Sequence, residues 1–286
     1  MKTTLNRSVL IGGAILVVIL VIGLSAPLLG TRDPSQIDPV SRNKRPGAVR
    51  VFTGADGRQI STTYWMGTDS LGRDIYSRVL YGARVSLLVG VSVALLSVMA
   101  GLVIGLLAGY LRWLDGFVMR IMDGLMAVPP ILLAIALVSL STAGLRVVII
   151  AIVIPEVPRV VRLVRSVVLS IREEPYVEAA RALGARTVPL LARHVLPNAL
   201  APLIVQATYV CASAMLIEAG LSFLGAGVPP EIPSWGNIIA QGRTFFQIAP
   251  WTIFIPGAFL AVTVLAVNML GDGLRDRLDP RLARRM

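Results

Sequence analysis

The segment EAARALGARTVPLLARHVLPN, residues 178–198, decides how the rest of the chain is read. It is charged and helix-forming, and Gly184 and Pro197 punctuate it. Long apolar runs flank it in a chain that is 55% hydrophobic. A charged stretch between two such runs belongs at a membrane surface, because ionised side chains are costly within hydrocarbon.

Outward from that segment, composition sets the class. Only 15% of the 286 residues are charged, and the mean hydropathy is +0.76. A soluble domain carries about a quarter charged residues, so the chain reads as an integral membrane protein in contact with a lipid bilayer. The formal net charge is +11, yet the basic residues form no long like-charge run. Charge flanking the membrane accounts for it better than nucleic acid, which is not expected as a partner. Cys211 is the single cysteine and His194 the single histidine. Disulfide frameworks, Cys/His metal sites and Cys–His catalytic pairs are therefore not expected, and no catalytic or metal-binding residue is assigned. Lys2 and Lys44 are the only lysines and neither follows a glycine, so a Walker A phosphate loop is absent. If ATP drives this protein, another chain binds it.

Crossing about 30 Å of hydrocarbon takes roughly 20 helical residues. The runs long enough are Val9–Leu29, Val85–Tyr110, about Ile121–Ser141, about Leu145–Leu163, Ala199–Leu224 and Ala249–Leu270. An all-α protein of six transmembrane helices is the expectation. Glu156 and Arg159 interrupt the fourth run and make it the weakest. A signal peptide is the rival reading of the first run, but its uncharged stretch exceeds a usual signal core. With the N-terminus inside, sixteen Lys and Arg residues fall on the cytoplasmic side and eleven outside. That bias places both termini in the cytoplasm. The division that follows is 1–29 for a cytoplasmic tail and first helix and 30–84 for an extracytoplasmic loop. A core of 85–271 contains the cytoplasmic loop 166–198, and 272–286 forms a cytoplasmic tail.

Within that cytoplasmic loop, Pro175 can start a helix because its missing N–H needs no partner there. Tyr176, Ala180 and Leu183 then share one face at helical spacing. Gly184 stops the helix, Thr187 caps a second short helix ending near Leu196, before Pro197, and Asn198 caps the next span. Ala179 and Ala180 leave a low-relief face suited to a groove on a partner protein. An amphipathic loop resting on lipid headgroups is the alternative.

Here the chain resembles a known family. Glu178-Ala179-Ala180, three residues, Gly184, nine residues and then His194-Val195-Leu196-Pro197 is similar to the EAA signature of ABC importer permeases, with His194 standing where the signature has Ile. Three further stretches resemble the branch serving dipeptides, oligopeptides and nickel, and specifically its second, shorter permease. They are Gly67–Asp74 leading to Gly82–Leu87, Leu221–Gly225 with Ser234-Trp235-Gly236, and Asn268–Asp276 leading to Asp279-Pro280. The resemblance implies a type I ABC importer permease fold in a bacterial inner membrane. It implies as partners a homologous second permease, two ABC ATPase subunits that bind ATP and Mg, and an extracytoplasmic substrate-binding protein. Glu178, Ala179, Ala180, Leu183, Gly184, Leu196 and Pro197 are then the ATPase-coupling residues, and this chain has no cofactor or catalysis of its own. Peptide import is the expected task, with nickel chelates, glutathione or opines as alternatives.

Other features keep two readings. Gly101, Gly105 and Gly109 repeat at four-residue spacing and favour close helix packing over gating. The pair Pro129-Pro130, and Pro155 with Pro158, either shape a pore or only kink their helices. Glu218 lies deep in the fifth span, either facing the pathway or closing an interhelix hydrogen bond. Val49–Phe52 and Gln59–Thr63 around Gly54–Gly57 read as a small hairpin. A membrane enzyme would need convergent polar catalytic groups and a proton-coupled carrier ionisable residues near the midplane; Asp123, Glu156 and Glu218 are scattered candidates, and neither rival explains the segment 178–198.

Overall fold

The computed structural model describes residues 7–53, 59–142 and 144–278. Its elements in chain order begin with α1 (Arg7–Leu24) and the antiparallel pair β1 (Ala48–Thr53) and β2 (Gln59–Tyr64). There follow α2 (Ile75–Tyr110), α3 (Arg112–Met126), α4 (Pro130–Ser139), α5 (Leu145–Arg172), α6 (Pro175–Ala182) and α7 (Thr187–Leu190). A π turn (Leu191–Val195) leads into α8 (Leu196–Phe223), followed by α9 (Trp235–Gly242) and α10 (Trp251–Leu278). The strands form the expected small hairpin; its turn, with Gly54–Gly57, lies outside the described residues.

The centre of the bundle is a seam between α2 and α5. A Cβ added at Gly101 would meet Val160 Cβ at 2.5 Å, at Gly105 Val164 Cβ at 2.7 Å, and at Gly109 Val168 Cβ at 2.7 Å. A glycine groove thus receives a valine ridge, both at four-residue spacing, and the backbones approach closely. Packing is the use to which these glycines are put. Both sets of numbers rise together, so α2 and α5 run parallel. The intervening α3 and α4 must then return the chain to the end where α2 began.

The other long helices run the opposite way or alongside in pairs. Gly90 of α2 faces Cys211 and Met215 of α8, while Gly12 of α1 faces Ala266 and Leu270 of α10. Gly273 faces Val9 and Ser8 in the same antiparallel pair. One end of the bundle therefore holds Trp235 and the starts of α2, α5 and α10. The opposite end holds Gly184, the start of α8 and the ends of α2, α5 and α10.

Among the described residues, α1, α2, α10 and α8 with its π turn are long and apolar enough to cross a membrane. The pair α3 and α4 makes a fifth if counted as one broken span. That pair replaces the straight third span expected from hydropathy. Pro129, extended at ψ 132, cannot continue α3, and the two helices meet at 89°. The expected fourth span is a helix, but α5 runs on to Arg172 and its arginines make it too polar for the same test. Those charges are paired from elsewhere. Arg165 Nε and Nη2 donate to the two Asp115 oxygens at 2.5 and 2.7 Å, and Arg162 Nη2 donates to Asp123 Oδ1 at 2.5 Å, tying α3 to α5.

Two boundaries also move. The second helix starts at Ile75 rather than Val85, because Asp74 caps it: Ser77 N–H donates to Asp74 Oδ2 at 3.0 Å. The last helix continues to Leu278, past residue 271, and Asp279 and Pro280 lie outside the described residues.

Candidate functional site

At the Gly184 end, α6, α7 and the π turn make a helical hairpin between α5 and α8. Val177, Leu190 and Val195 are buried against the bundle and anchor it. Gly184 has φ +81°, the left-handed conformation that glycine adopts without a Cβ penalty. Ala185 N–H donates to Ala180 O at 3.0 Å across it, the six-to-one bond of a Schellman cap. No atom lies within 4 Å of a Cβ placed at Gly184. The turn is thus required by conformation, and its outer side is open.

The predicted coupling residues divide. Glu178, Ala179, Leu183 and Gly184 are exposed together at the hairpin's tip, and Leu183 is 89% exposed. Ala180 is half-buried against the core, so Leu183 does not share its face. The cause is that α6 ends at Ala182, which turns Leu183 outward as the cap residue. Tyr176 instead packs on His194, with ring centroids 5.7 Å apart. Leu196 and Pro197 lie at the hairpin's root, at the start of α8.

The expected break before Pro197 is replaced by continuous winding. Proline has no N–H to donate and crowds the carbonyl four residues back. The chain widens into the π turn, with Leu196 N–H donating to Leu191 O. Asn198 does not cap α8; its Nδ2 donates to His194 O at 2.7 Å within the helical run.

Glu218 lies about 30 Å along α8 from Pro197 at 1.5 Å per residue, so the structure does not bring it to the hairpin. It is 1% exposed, and its Oε1 accepts from Ser222 Oγ at 2.9 Å and Ser234 Oγ at 2.7 Å. Ser234 Oγ in turn accepts from Asn237 N–H at 3.0 Å and caps α9. Asn237 Oδ1 accepts from Gln241 Nε2 at 2.6 Å, and Gln241 Oε1 accepts from Arg73 Nη2 and, at 3.4 Å, from Arg78 Nη2. Arg73 Nε donates to Asp69 Oδ2 at 2.6 Å. Trp235 is buried beside this chain of bonds, its N–H donating to Ser86 Oγ at 3.1 Å and its Nε1 to Val79 O at 3.0 Å. A Cβ at Gly82 would press on that indole at 3.2 Å, and one at Gly236 would meet Ala219 Cα at 2.5 Å. The stretch 67–87 thus closes at the Trp235 end on two stretches more than a hundred residues later, 218–225 and 234–241.

The model of the family described as "Binding-protein-dependent transport system inner membrane component" matches residues 101–284. The chain belongs to that family. It is a multi-pass membrane protein. This inner membrane component is 56% identical over 97% of its length to a "probable peptide ABC transporter permease protein" of Sinorhizobium fredii, covering 90% of that protein. It is 42% identical to a dipeptide transport system permease protein of Alkalihalophilus pseudofirmus, over 97% of this chain and 87% of the other. A di/tripeptide transport system permease protein of Pseudomonas aeruginosa is 41% identical, over 97% and 89%. Among solved structures, the methionine ABC transporter MetNI in an inward-facing conformation superposes with a TM-score of 0.55. It covers 71% of this chain and 96% of its own at 22% identity, a likeness of fold.

The part matched to the family model contains the whole hairpin and Glu218. What sequence reasoning missed in this inner membrane component is the wiring between Glu218 and Arg73. Ser234-Trp235-Gly236 was a visible pointer, but Gln241, which joins the two arginines to Asn237, carried no local signal.

Proposed function

We propose that this chain is the transmembrane permease subunit of an ATP-driven ABC importer of di- and oligopeptides, and that residues 175–195 are its handle on the ATPase. The observation that carries the reading is the hairpin itself. A rigid, glycine-capped tip bearing Glu178, Ala179 and Leu183 stands open at one end of an apolar bundle, while its root is continuous with α8. A partner groove can grip such a tip, and displacement of the hairpin moves a helix that spans the bundle, a rigid-body switch.

The chain crosses the membrane six times in this reading, with α3 and α4 together as the third pass and α5 as the fourth. Support comes from the parallel α2 and α5, which require a return crossing between them, and from the pairing of α5 arginines with Asp115, Asp123 and Glu156. Both termini and the hairpin face the cytoplasm, and the Trp235 end faces outward, in line with the excess of Arg and Lys near the Gly184 end. A homologous permease supplies the other half of the pathway, two ATPase subunits bind ATP and Mg, and an extracytoplasmic binding protein delivers substrate. Relatives at 41–56% identity are named for peptides, which favours peptides over nickel chelates, glutathione or opines.

The test is site-directed cross-linking. Cysteine at Leu183, with Cys211 replaced, should cross-link to the co-expressed ATPase, and cysteine at Val49 should not. Cross-linking of Val49 alone to the ATPase would invert the orientation and remove the handle.

A further inference from the structure

The middles of α5 and α8 hold another buried carboxylate, separate from both ends of the bundle. Glu156 is 0% exposed, and its Oε1 accepts from Ser213 Oγ of α8 at 2.9 Å and from Arg159 Nη1 at 3.2 Å. One turn away, the Arg159 guanidinium lies 6.0 Å from the ring centroid of Tyr209. Two rungs therefore join the helices, one through a carboxylate and one through a cation over an aromatic face. The Arg159–Tyr209 rung sits at the midpoint of both 28-residue helices, about 20 Å from either helix end, and the Glu156–Ser213 rung lies one turn nearer the Trp235 end.

An arginine facing lipid at that depth costs roughly 3 kcal/mol or more. Yet the Arg159 side chain is 33% exposed and Tyr209 is 51% exposed. The open side of this pair must therefore meet water or protein in the working assembly. Arg159 bonds Glu156 through Nη1, and among the described residues Nε and Nη2 make no hydrogen bond. A cleft of about 490 Å³ begins one turn nearer the Gly184 end, lined by Leu163, Pro202, Val205, Gln206 and Arg275. Leu163 follows Arg159 by one turn and Val205 precedes Tyr209 by one turn, so the cleft lies directly below the pair.

We propose that Arg159 is a transient binding site for the C-terminal carboxylate of a peptide in passage, positioned by Glu156 and Tyr209. The proposal rests on the peptide-importer reading above. A guanidinium presenting adjacent N–H groups matches a carboxylate in plane and spacing, and the cleft has the size of a small-ligand site. Glu156 moderates the attraction by offsetting the charge of Arg159, so that a carboxylate is held loosely enough to leave, as conduction requires.

The experiment uses the complete importer in liposomes, supplied with trialanine or with trialanine amide, and reads peptide uptake per ATP hydrolysed. Loss of one charge-assisted hydrogen-bonded pair predicts that Arg159→Gln lowers trialanine uptake per ATP about tenfold and leaves the amide within about twofold. Arg159→Lys keeps the charge without the fork and falls between wild type and Arg159→Gln. Calorimetry on the binding protein fixes how much of each peptide is delivered; if it refuses the amide, the trialanine values of the three proteins decide. Equal losses for both peptides, or unchanged trialanine uptake per ATP in Arg159→Gln, overturn the proposal. So does a complex that fails to assemble with Arg159→Gln but transports trialanine normally with Arg159→Lys, which makes the arginine a packing charge. A wild-type complex that hydrolyses ATP and moves neither peptide overturns the peptide-importer reading itself.

Discussion

At the Trp235 end, Asp69, Arg73, Gln241, Asn237, Ser234 and Glu218 form one chain of hydrogen bonds, through side chains and the Asn237 backbone N–H, that joins the start of α2 to α8 and α9. At the Gly184 end, the hairpin rests on the buried side chains of Val177, Leu190 and Val195, and its tip is open. The first arrangement resists displacement, because breaking any link leaves a buried polar group without a partner. The second can move as a body: its internal cap is rigid, and its anchor is apolar and non-directional. A machine that transmits motion from one end needs this asymmetry, and elements that move are drawn from the less wired part of a fold.

Substitutions at the two ends should therefore separate stability from coupling. The largest loss of stability is expected for Gly236→Val. Its side chain would invade Ala219 and the Glu218 carboxylate, and overpacking at such a site costs about 3 kcal/mol or more. The yield of assembled complex after detergent extraction should collapse; normal yield would mean that the wired end is less rigid than described. Glu218→Gln keeps the shape but loses the charge that receives Ser222 and Ser234, worth about 1–2 kcal/mol. The melting temperature of the complex should fall while the rate of uptake by the surviving complex stays near wild type. A changed rate or substrate range with unchanged melting would place Glu218 on the pathway instead. Smallest in stability is Gly184→Ala, where the left-handed backbone costs about 1 kcal/mol, confined to an exposed turn. Span insertion and complex yield should not change.

Orientation can be sharpened in the same terms. Single cysteines at Val49 on β1 and at Arg186 between α6 and α7, both exposed, should react oppositely with an impermeant maleimide on intact cells once Cys211 is replaced. Labelling of position 186 from outside would reverse the two ends.

How much of this was legible in sequence differs from region to region. The apolar runs behind α1, α2, α8 and α10 are plain in hydropathy, because their charges lie near the ends. The glycine stop at 184 was legible because a left-handed cap has few residue solutions. The proline pair at 129–130 signalled a kink but not its size: a hydropathy window sums apolarity over the pair and cannot register the 89° turn. The polar fourth helix was weak for the reverse reason. Its arginines are matched by Asp115, Asp123 and Glu156, two of them on another helix, and pairing across helices leaves no local trace. Glu218 kept two readings for the same cause, since its partner Ser234 belongs to a different element.

If the open hairpin carries motion between ATPase and bundle, Gly184→Asp should break that transmission. The backbone conformation is strained by any side chain there, and a charged group is added to the open tip. In the complete importer reconstituted in liposomes, ATP hydrolysis stimulated by loaded binding protein and peptide uptake are measured together. The complex should form in normal yield while both fall by about tenfold or more, the loss of a partner contact worth at least about 1.4 kcal/mol. Normal stimulation with normal uptake would contradict it and leave residues 175–195 as a surface loop.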